Sequence, residues 1–365
     1  MTRNEIENEN ESVGRGTAQR AQGGYDGEVR AYDVVVVGGG AAGLSAALVL
    51  GRSRRRVLVV DAGEPRNAPA AHMQGYLSRD GMPPAEFLAE GRRELARYGV
   101  EVVRDRVEEV TPDGAGEFGV ALADGGAVHA RRVVVATGLV DRVPGVPGLA
   151  ERWGRDVLHC PYCHGWEVRD QPFGVLASEP FHSHQALLVT QWSKDVTLFL
   201  HTVGDLPDAE WERLAAAGVQ VVEGEVAGLE VGDDGLTGVR LADGRIVPRS
   251  VLFVAARPVP RDGLLTALGA RLRDTPVGPY PAVDETGRTS VPGVWAVGNA
   301  AGPMEQVINA ASAGHRAGTT INAELVMADI DATAALRRAG VFTPRTEAVV
   351  ARTVAGERAH GLVAP

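Results

Sequence analysis

Four consecutive valines, Val34 to Val37, run directly into Gly38-Gly39-Gly40-Ala41-Ala42-Gly43. No other stretch restricts the fold as tightly. Tyr32 to Val37 reads as a buried strand, Ala41 to Ser53 as a helix, and Arg56 to Asp61 as a second strand ending on an acid. Strand, glycine turn, helix and strand make up the repeating unit of doubly wound α/β proteins. The glycines permit a tight turn and let a pyrophosphate approach the helix N-terminus, where unpaired N–H groups and the helix dipole favour an anion. Asp61 lies 18 residues after Gly43 and can accept hydrogen bonds from a ribose diol. Gly38, Gly40, Ala41, Ala42, Gly43 and Asp61 are therefore candidates for holding a dinucleotide.

The second informative stretch is Cys160-Pro161-Tyr162-Cys163-His164-Gly165-Trp166-Glu167. It contains the only 2 cysteines of the chain, so cysteine is not used as core filler. One dithiol beside a dinucleotide means electron transfer between a flavin or nicotinamide and sulfur. Other readings of the pair are a structural disulfide, or half of a metal site completed by His159 and His164. A zinc site needs about four ligands, and no second cysteine pair is present. His164 reads either as a general base, since an unperturbed pKa of about 6.5 suits proton transfer near neutrality, or as a hydrogen-bonding neighbour. Glu167 could orient it or pair on the surface. His182, His184 and His201 read as ordinary polar positions.

Length and charge narrow the class. A chain of 365 residues has room for two domains. Its 46 glycines and 44% hydrophobic content fit a soluble α/β enzyme rich in turns. A net charge of -10 and the lack of a basic cluster with interleaved aromatics argue against nucleic acid as a partner. The short run Arg52, Arg54, Arg55 and Arg56 reads as a solvated helix end. No apolar run reaches the ~18–20 residues that cross a bilayer, so no membrane partner is expected. Met1 to Arg30 is polar, lacks a charged-then-apolar signal pattern, and is expected to be a disordered extension. A secreted protein would use cysteines in structural pairs, so this usage fits the cytoplasm.

Further along, Val100 to Val110, Gly119 to Leu122 and Val128 to Val135 look like strands. The last enters Ala136-Thr137-Gly138, a small-residue turn where backbone can touch a ligand. Pro144 to Pro147 reads as a linker. Phe173 to Ala177, a helix over His184 to Trp192 and Val196 to Leu200 sketch a second β-α-β unit. Val219 to Val222, Gly228 to Val231, Val239 to Leu241 and Val251 to Ala255 continue it, and Arg257 to Arg261 reads as a second linker. From Leu264 the chain returns to the first domain. Gly293 to Asn299 is a strand and turn there, and Gln306 to Leu325 a long helix. The expected domains are 31–143 with 263–330, an inserted 144–262, and extensions at 1–30 and 331–365.

A discontinuous dinucleotide domain around an inserted one bearing Cys-x-x-Cys resembles the thioredoxin reductase family of FAD-dependent pyridine nucleotide-disulfide oxidoreductases. The resemblance runs from about Tyr32 to Val326 and rests on Gly38–Gly43, Ala136-Thr137-Gly138, Cys160/Cys163, Gly298-Asn299 and Gln306-Val307. It implies an α/β protein of two Rossmann-like three-layer domains. It implies FAD in the first domain, with Gly298, Asn299, Gln306 and Val307 reaching the ribityl chain and flavin ring. Cys163 would lie next to the flavin, and the protein would be a homodimer.

The chain departs from the family pattern at three places. His164 replaces the usual acid after the second cysteine, and Gly298-Asn299 replaces Gly-Asp. Where Gly-x-Gly-x-x-Ala should open the helix of the inserted domain, the chain reads Leu176-Ala177-Ser178-Glu179-Pro180-Phe181-His182. The nucleotide site is thus degenerate, and His201-Thr202-Val203-Gly204-Asp205 offers no arginine to a 2′-phosphate, so NADPH is not the expected donor. Cys-x-x-Cys-His-Gly-Trp-Glu, Asp61 to Asn67 and His184 to Leu188 are similar to the dithiol oxidase branch that closes disulfides in natural products such as gliotoxin, holomycin and romidepsin. That branch implies Asp61 to Arg66 and His72 in the FAD site, and catalysis by Cys160, Cys163 and His164. A small dithiol and O2 would be the partners. The other readings are a thioredoxin reductase and a flavin-binding redox sensor without turnover.

Overall fold

The structure is a computed structural model that describes residues 30–114, 116–179, 182–338 and 343–348. The extension expected at 1–30 lies outside the described residues up to residue 29. So do Pro180 and Phe181 and, apart from 343–348, everything beyond 338.

The chain opens with β1 (Arg30–Val37), α1 (Ala41–Arg52) and β2 (Val57–Val60). Next come α2 (Pro84–Ala96), β3 (Glu101–Val103), β4 (Val107–Pro112), β5 (Phe118–Leu122) and β6 (Ala127–Val135). β3, β2, β1 and β6 are parallel neighbours, and β5 and β4 extend the sheet in antiparallel fashion. Val34 to Val37 and Val57 to Val60 are buried on both faces of the sheet, which is why they read as unbroken apolar runs rather than alternating ones.

β7 (Leu139–Arg142) then leads into a second sheet. That sheet is ordered β11-β10-β9-β15-β8, from β8 (Val157–Leu158), β9 (Phe173–Leu176), β10 (Val196–Phe199), β11 (Gln220–Val222) and β15 (Val251–Val254), all parallel. α3 (Pro161–His164), α4 (Ser183–Val189) and α5 (Asp208–Ala216) connect its strands. β12 (Val226–Val231), β13 (Leu236–Leu241) and β14 (Ile246–Pro248) form an antiparallel sheet against it.

Arg257 to Arg261 was expected as a linker and is instead β16 (Arg257–Pro260), paired antiparallel with β7. The prolines that suggested a linker are tolerated because the ribbon has only two strands, so each has an edge that needs no N–H donor. α6 (Gly263–Ala267) and the hairpin of β17 (Leu272–Thr275) and β18 (Gly278–Pro281) follow. β19 (Val294–Ala296) then returns to the first sheet beside the C-terminal half of β6.

α7 spans Val307–Arg338, thirteen residues beyond the expected end and across the expected boundary at 330. Alanines continue past Leu325, and Asp329 receives ion pairs from Arg55 at 2.7 Å and Arg131 at 2.6 Å, which tie the extra turns to the sheet. α7 crosses α1 at very close range. A Cβ on Gly314 would fall 1.9 Å from the Ala42 carbonyl oxygen, and one on Gly318 would fall 2.2 Å from a Val49 methyl. Only glycine permits this seam. It packs the last helix against the first turn of α1.

Candidate functional site

Strand ends and helix starts of both sheets converge on one cavity of about 1790 Å³. Single small-ligand pockets are usually ~300–1,000 Å³, so this one has room for a dinucleotide and a second molecule. Gly38, Gly40, Ala41, Ala42, Asp61, Arg66, His72, Ala136, Thr137, Gly138, Asn299, Gln306 and Val307 line it, and so do Cys160, Cys163 and His164. Gly43 and Gly298 do not. A Cβ on Gly43 would sit 1.9 Å from the Gly38 carbonyl oxygen, and one on Gly298 would sit 2.9 Å from Ala42 Cβ. They let the wall close from behind rather than face a ligand.

The turn after β1 has the form of a cradle. Gly38 adopts φ +107, and a Cβ there would strike the Ala136 carbonyl oxygen at 2.4 Å. At Gly40 a Cβ would meet nothing within 4 Å, so the surface above the turn is open. Gly40 is also the N-cap of α1, and no side chain among the described residues caps that end. The first-turn N–H groups therefore remain for an anion. Gly39 was absent from the sequence-based candidates, yet its N–H donates to Asp61 Oδ1 at 3.0 Å. A side chain at 39 would collide with that carboxylate at 2.7 Å, and the third glycine of the triplet was the available signal. Asp61 Oδ2 receives no hydrogen bond among the described residues and can accept from a diol.

Three other expected contacts take a different form. The Thr137 hydroxyl donates to the Arg261 carbonyl at 2.7 Å, and the Arg261 N–H donates to the Gly138 carbonyl at 2.9 Å, so this turn fastens the returning chain. Arg66 makes a two-pronged pair with Asp141 on β7, both contacts at 2.7 Å. Asn299 Nδ2 donates to the carbonyls of Gly302 and Glu305, each at 3.1 Å, which leaves its carbonyl oxygen as the polar atom available to the cavity.

At the other end the dithiol occupies one turn. Cys160 is extended, Pro161 starts α3, and Cys160 and Cys163 are joined as a disulfide with Cα atoms 5.2 Å apart. A Cβ on Gly165 would lie 2.8 Å from the Trp192 ring, so glycine allows the turn to settle on that ring. Tyr162 meets the same ring edge-on at 5.6 Å. The preceding residue is held twice: Gln185 Nε2 donates to the His159 carbonyl at 2.8 Å, and the His159 ring lies 3.2 Å from the Val254 carbonyl. Tyr162 and Trp166 remain largely exposed beside the dithiol.

His164 ends α3. Burial pulls its pKa below the usual value, against opposing pulls from the Cys160 carbonyl and Glu167. It is therefore neutral at pH 7 and able to take a proton. Its Nδ1 is buried and makes no well-formed hydrogen bond among the described residues. Glu167 acts on it through charge rather than through a hydrogen bond. His159 is also pushed down, first by burial and then by Arg66.

The inserted sheet contributes Ser178, Glu179, His182, His184, Gln185 and Leu188 to the same cavity. The N–H groups of Ser178 and Glu179 donate to His182 Nδ1 at 3.1 and 3.2 Å. His201 Nδ1 accepts the Val226 N–H at 3.0 Å, so this histidine is a strut of the inserted unit.

Known proteins share this arrangement. The chain is 52% identical to the protein in the crystal structure of HlmI, with a TM-score of 0.80 over 85% of this chain and 97% of that one. An oxidoreductase from Agrobacterium tumefaciens is 36% identical, with a TM-score of 0.76 over 81% and 99% of the two chains. Thioredoxin reductase sirT of Leptosphaeria maculans is 32% identical over 317 residues, covering 82% of this chain and 96% of the relative. The profile described as pyridine nucleotide-disulphide oxidoreductase matches residues 32–314. FAD is the cofactor that comes with this relationship, and the open glycine turn, the uncapped α1 and Asp61 fit its pyrophosphate and ribose. One cavity shared by a dinucleotide cradle and a disulfide, on a fold that matches from 32 to 314, places the chain in the pyridine nucleotide-disulphide oxidoreductase family, as a flavin-dependent oxidoreductase acting on sulfur.

Proposed function

We propose that the protein oxidises a small-molecule dithiol to its intramolecular disulfide, with O2 as the final acceptor and H2O2 as the second product. The single observation that carries this is the continuity of the cavity. The glycine cradle, the Cys160–Cys163 disulfide and His164 line one space, which extends along α4 to the turn after β9. A small molecule can therefore meet the disulfide inside the protein. The names of the relatives leave room for a thioredoxin reductase, but the degenerate turn over Leu176 to His182 speaks against a pyridine nucleotide donor.

His164 accepts the proton of one substrate thiol, since the thiolate and not the thiol attacks sulfur. That thiolate attacks Cys160, the Cys160–Cys163 bond breaks, and Cys163 leaves as a thiolate. The second substrate thiol gives its proton to the Cys163 thiolate and attacks the mixed disulfide at the substrate sulfur, releasing the cyclic disulfide and the Cys160 thiolate. Two electrons have then moved from substrate to the enzyme dithiol. FAD, when bound, supplies the two-electron acceptor that restores the disulfide. The exposed Tyr162, which lines the cavity, offers apolar surface for the body of the substrate. Residues 31–143 with 263–330 as the FAD domain, 144–262 as the inserted domain, a homodimer and a cytoplasmic site of action complete the reading.

The test mixes FAD-loaded enzyme anaerobically with dithiothreitol and, separately, with NADPH, and follows the flavin band. Bleaching by the dithiol alone, reversed by air with release of peroxide, is the expected result. Rapid bleaching by NADPH would replace this reading with thioredoxin reductase.

A further inference from the structure

We propose that His182 is an internal substitute for a nucleotide phosphate: its imidazole occupies the two backbone amides that follow β9 and so decides which electron donor the enzyme accepts. The inference rests on the reading that a dithiol, not a pyridine nucleotide, delivers the electrons.

In a nucleotide-binding β-α-β unit, the turn between strand and helix presents its N–H groups to phosphate oxygens. Here that turn follows Leu176, and its N–H groups are already used. Ser178 and Glu179 donate to His182 Nδ1 at 3.1 and 3.2 Å, and the Ser178 hydroxyl lies 3.4 Å from the same atom. An atom that accepts two N–H bonds carries no proton, so the ring proton sits on Nε2 and the imidazole is neutral. Burial pulls the ring in the same direction, opposed by Glu179 on its own turn and aided by His159 from the segment before the dithiol. His182 is 6% exposed, so a phosphate would have to evict it rather than pass it. The Glu179 carboxylate adds repulsion at the same place.

The consequence reaches the reaction. Ser178, Glu179 and His182 line the cavity that holds the disulfide. A slot that would suit a polyanion is closed and uncharged apart from Glu179. A substrate that reaches this turn finds no free N–H groups there for an anionic group.

Amide hydrogen exchange of the FAD-loaded full chain, read at Ser178 and Glu179, tests this. Both amides should be protected in the wild type at pH 7.5. His182→Asn keeps an acceptor oxygen at a similar reach and should keep the protection. His182→Ala should speed exchange by about fivefold to tenfold, the effect of one lost hydrogen bond. After correction for intrinsic rates, protection should fall in the wild type, but not in His182→Asn, as the pH drops through the lowered pKa of His182. NADP+ at millimolar concentration should leave the wild-type pattern unchanged. Equal protection in the wild type and His182→Ala, or unprotected amides in an enzyme that turns over dithiols, would overturn only the role of His182. Rapid flavin bleaching by NADPH while the amides stay protected would overturn the functional reading and, with it, the control of donor choice by His182.

Discussion

Replacing His164 with Asn should give a loss of activity that disappears as the pH rises. The structure sets the size of the effect. Burial holds the pKa of His164 below about 6.5, so more than about three-quarters of it is neutral at pH 7. A thiol with an ordinary pKa of about 8.5 is only about 3% thiolate at that pH. Without the base, the reaction has to use that fraction, so kcat/KM should fall roughly 30-fold at pH 7. At pH 9.5 about nine-tenths of the thiol is ionised, and the deficit should shrink below about twofold. The wild type should lose activity as the pH drops through the depressed pKa of His164, and the variant should lack that limb. Oxygen uptake or peroxide release with dithiothreitol, measured from pH 6 to 9.5, gives both curves. A deficit of constant size across this range would refute the base assignment, because a positioning defect does not depend on thiol ionisation. Full activity at pH 7 would refute it as well.

Three further outcomes are expected. Gly314→Val should cost several kcal/mol and empty the flavin site, since even a Cβ would sit 1.9 Å from the Ala42 carbonyl oxygen; the flavin-to-protein ratio and the melting midpoint of the purified variant report it. His159, His164, His182 and His201 all have pKa values lowered by burial, so the unfolded chain binds more protons at acid pH. Their stabilising contribution is complete above about pH 6.5 and is lost as the pH falls through that value, so the melting midpoint should drop from pH 7.5 to 5.5, and an unchanged midpoint would contradict this. Asn299→Asp loses the donors to Gly302 and Glu305, at about 1–2 kcal/mol, and should release FAD faster on ultrafiltration; unaltered retention would count against the stapling role.

Much of the first sheet is legible in the sequence because its central strands are buried on both faces. Val34–Val37 and Val57–Val60 carry no polar residue to blur their limits. The glycine triplet announces a turn and the lone Cys-x-x-Cys a redox pair, and the structure brings both to one cavity. What escaped the reading depends on partners distant in sequence. β7 and β16 lie over a hundred residues apart, and a proline-rich strand of a two-stranded ribbon looks like a linker until its mate is known. The far turns of α7 follow from Arg55 and Arg131, which no local pattern connects to Asp329. His182 reads as an ordinary polar residue because its function is to accept from backbone, and backbone leaves no trace in composition.

The glycine seam between α1 and α7 also has a consequence for biosynthesis. The glycine turn and α1 are finished near residue 52, but the helix that braces them begins at Val307. At translation rates of ~5–20 residues per second, the ribosome needs about 13–50 s to make the intervening stretch. Throughout that interval the second sheet can fold while the first sheet still lacks β19 and α7. On the proposed FAD site, flavin capture has to wait until α7 has left the ribosome. Truncation before residue 307 should yield colourless protein, however well the inserted unit folds.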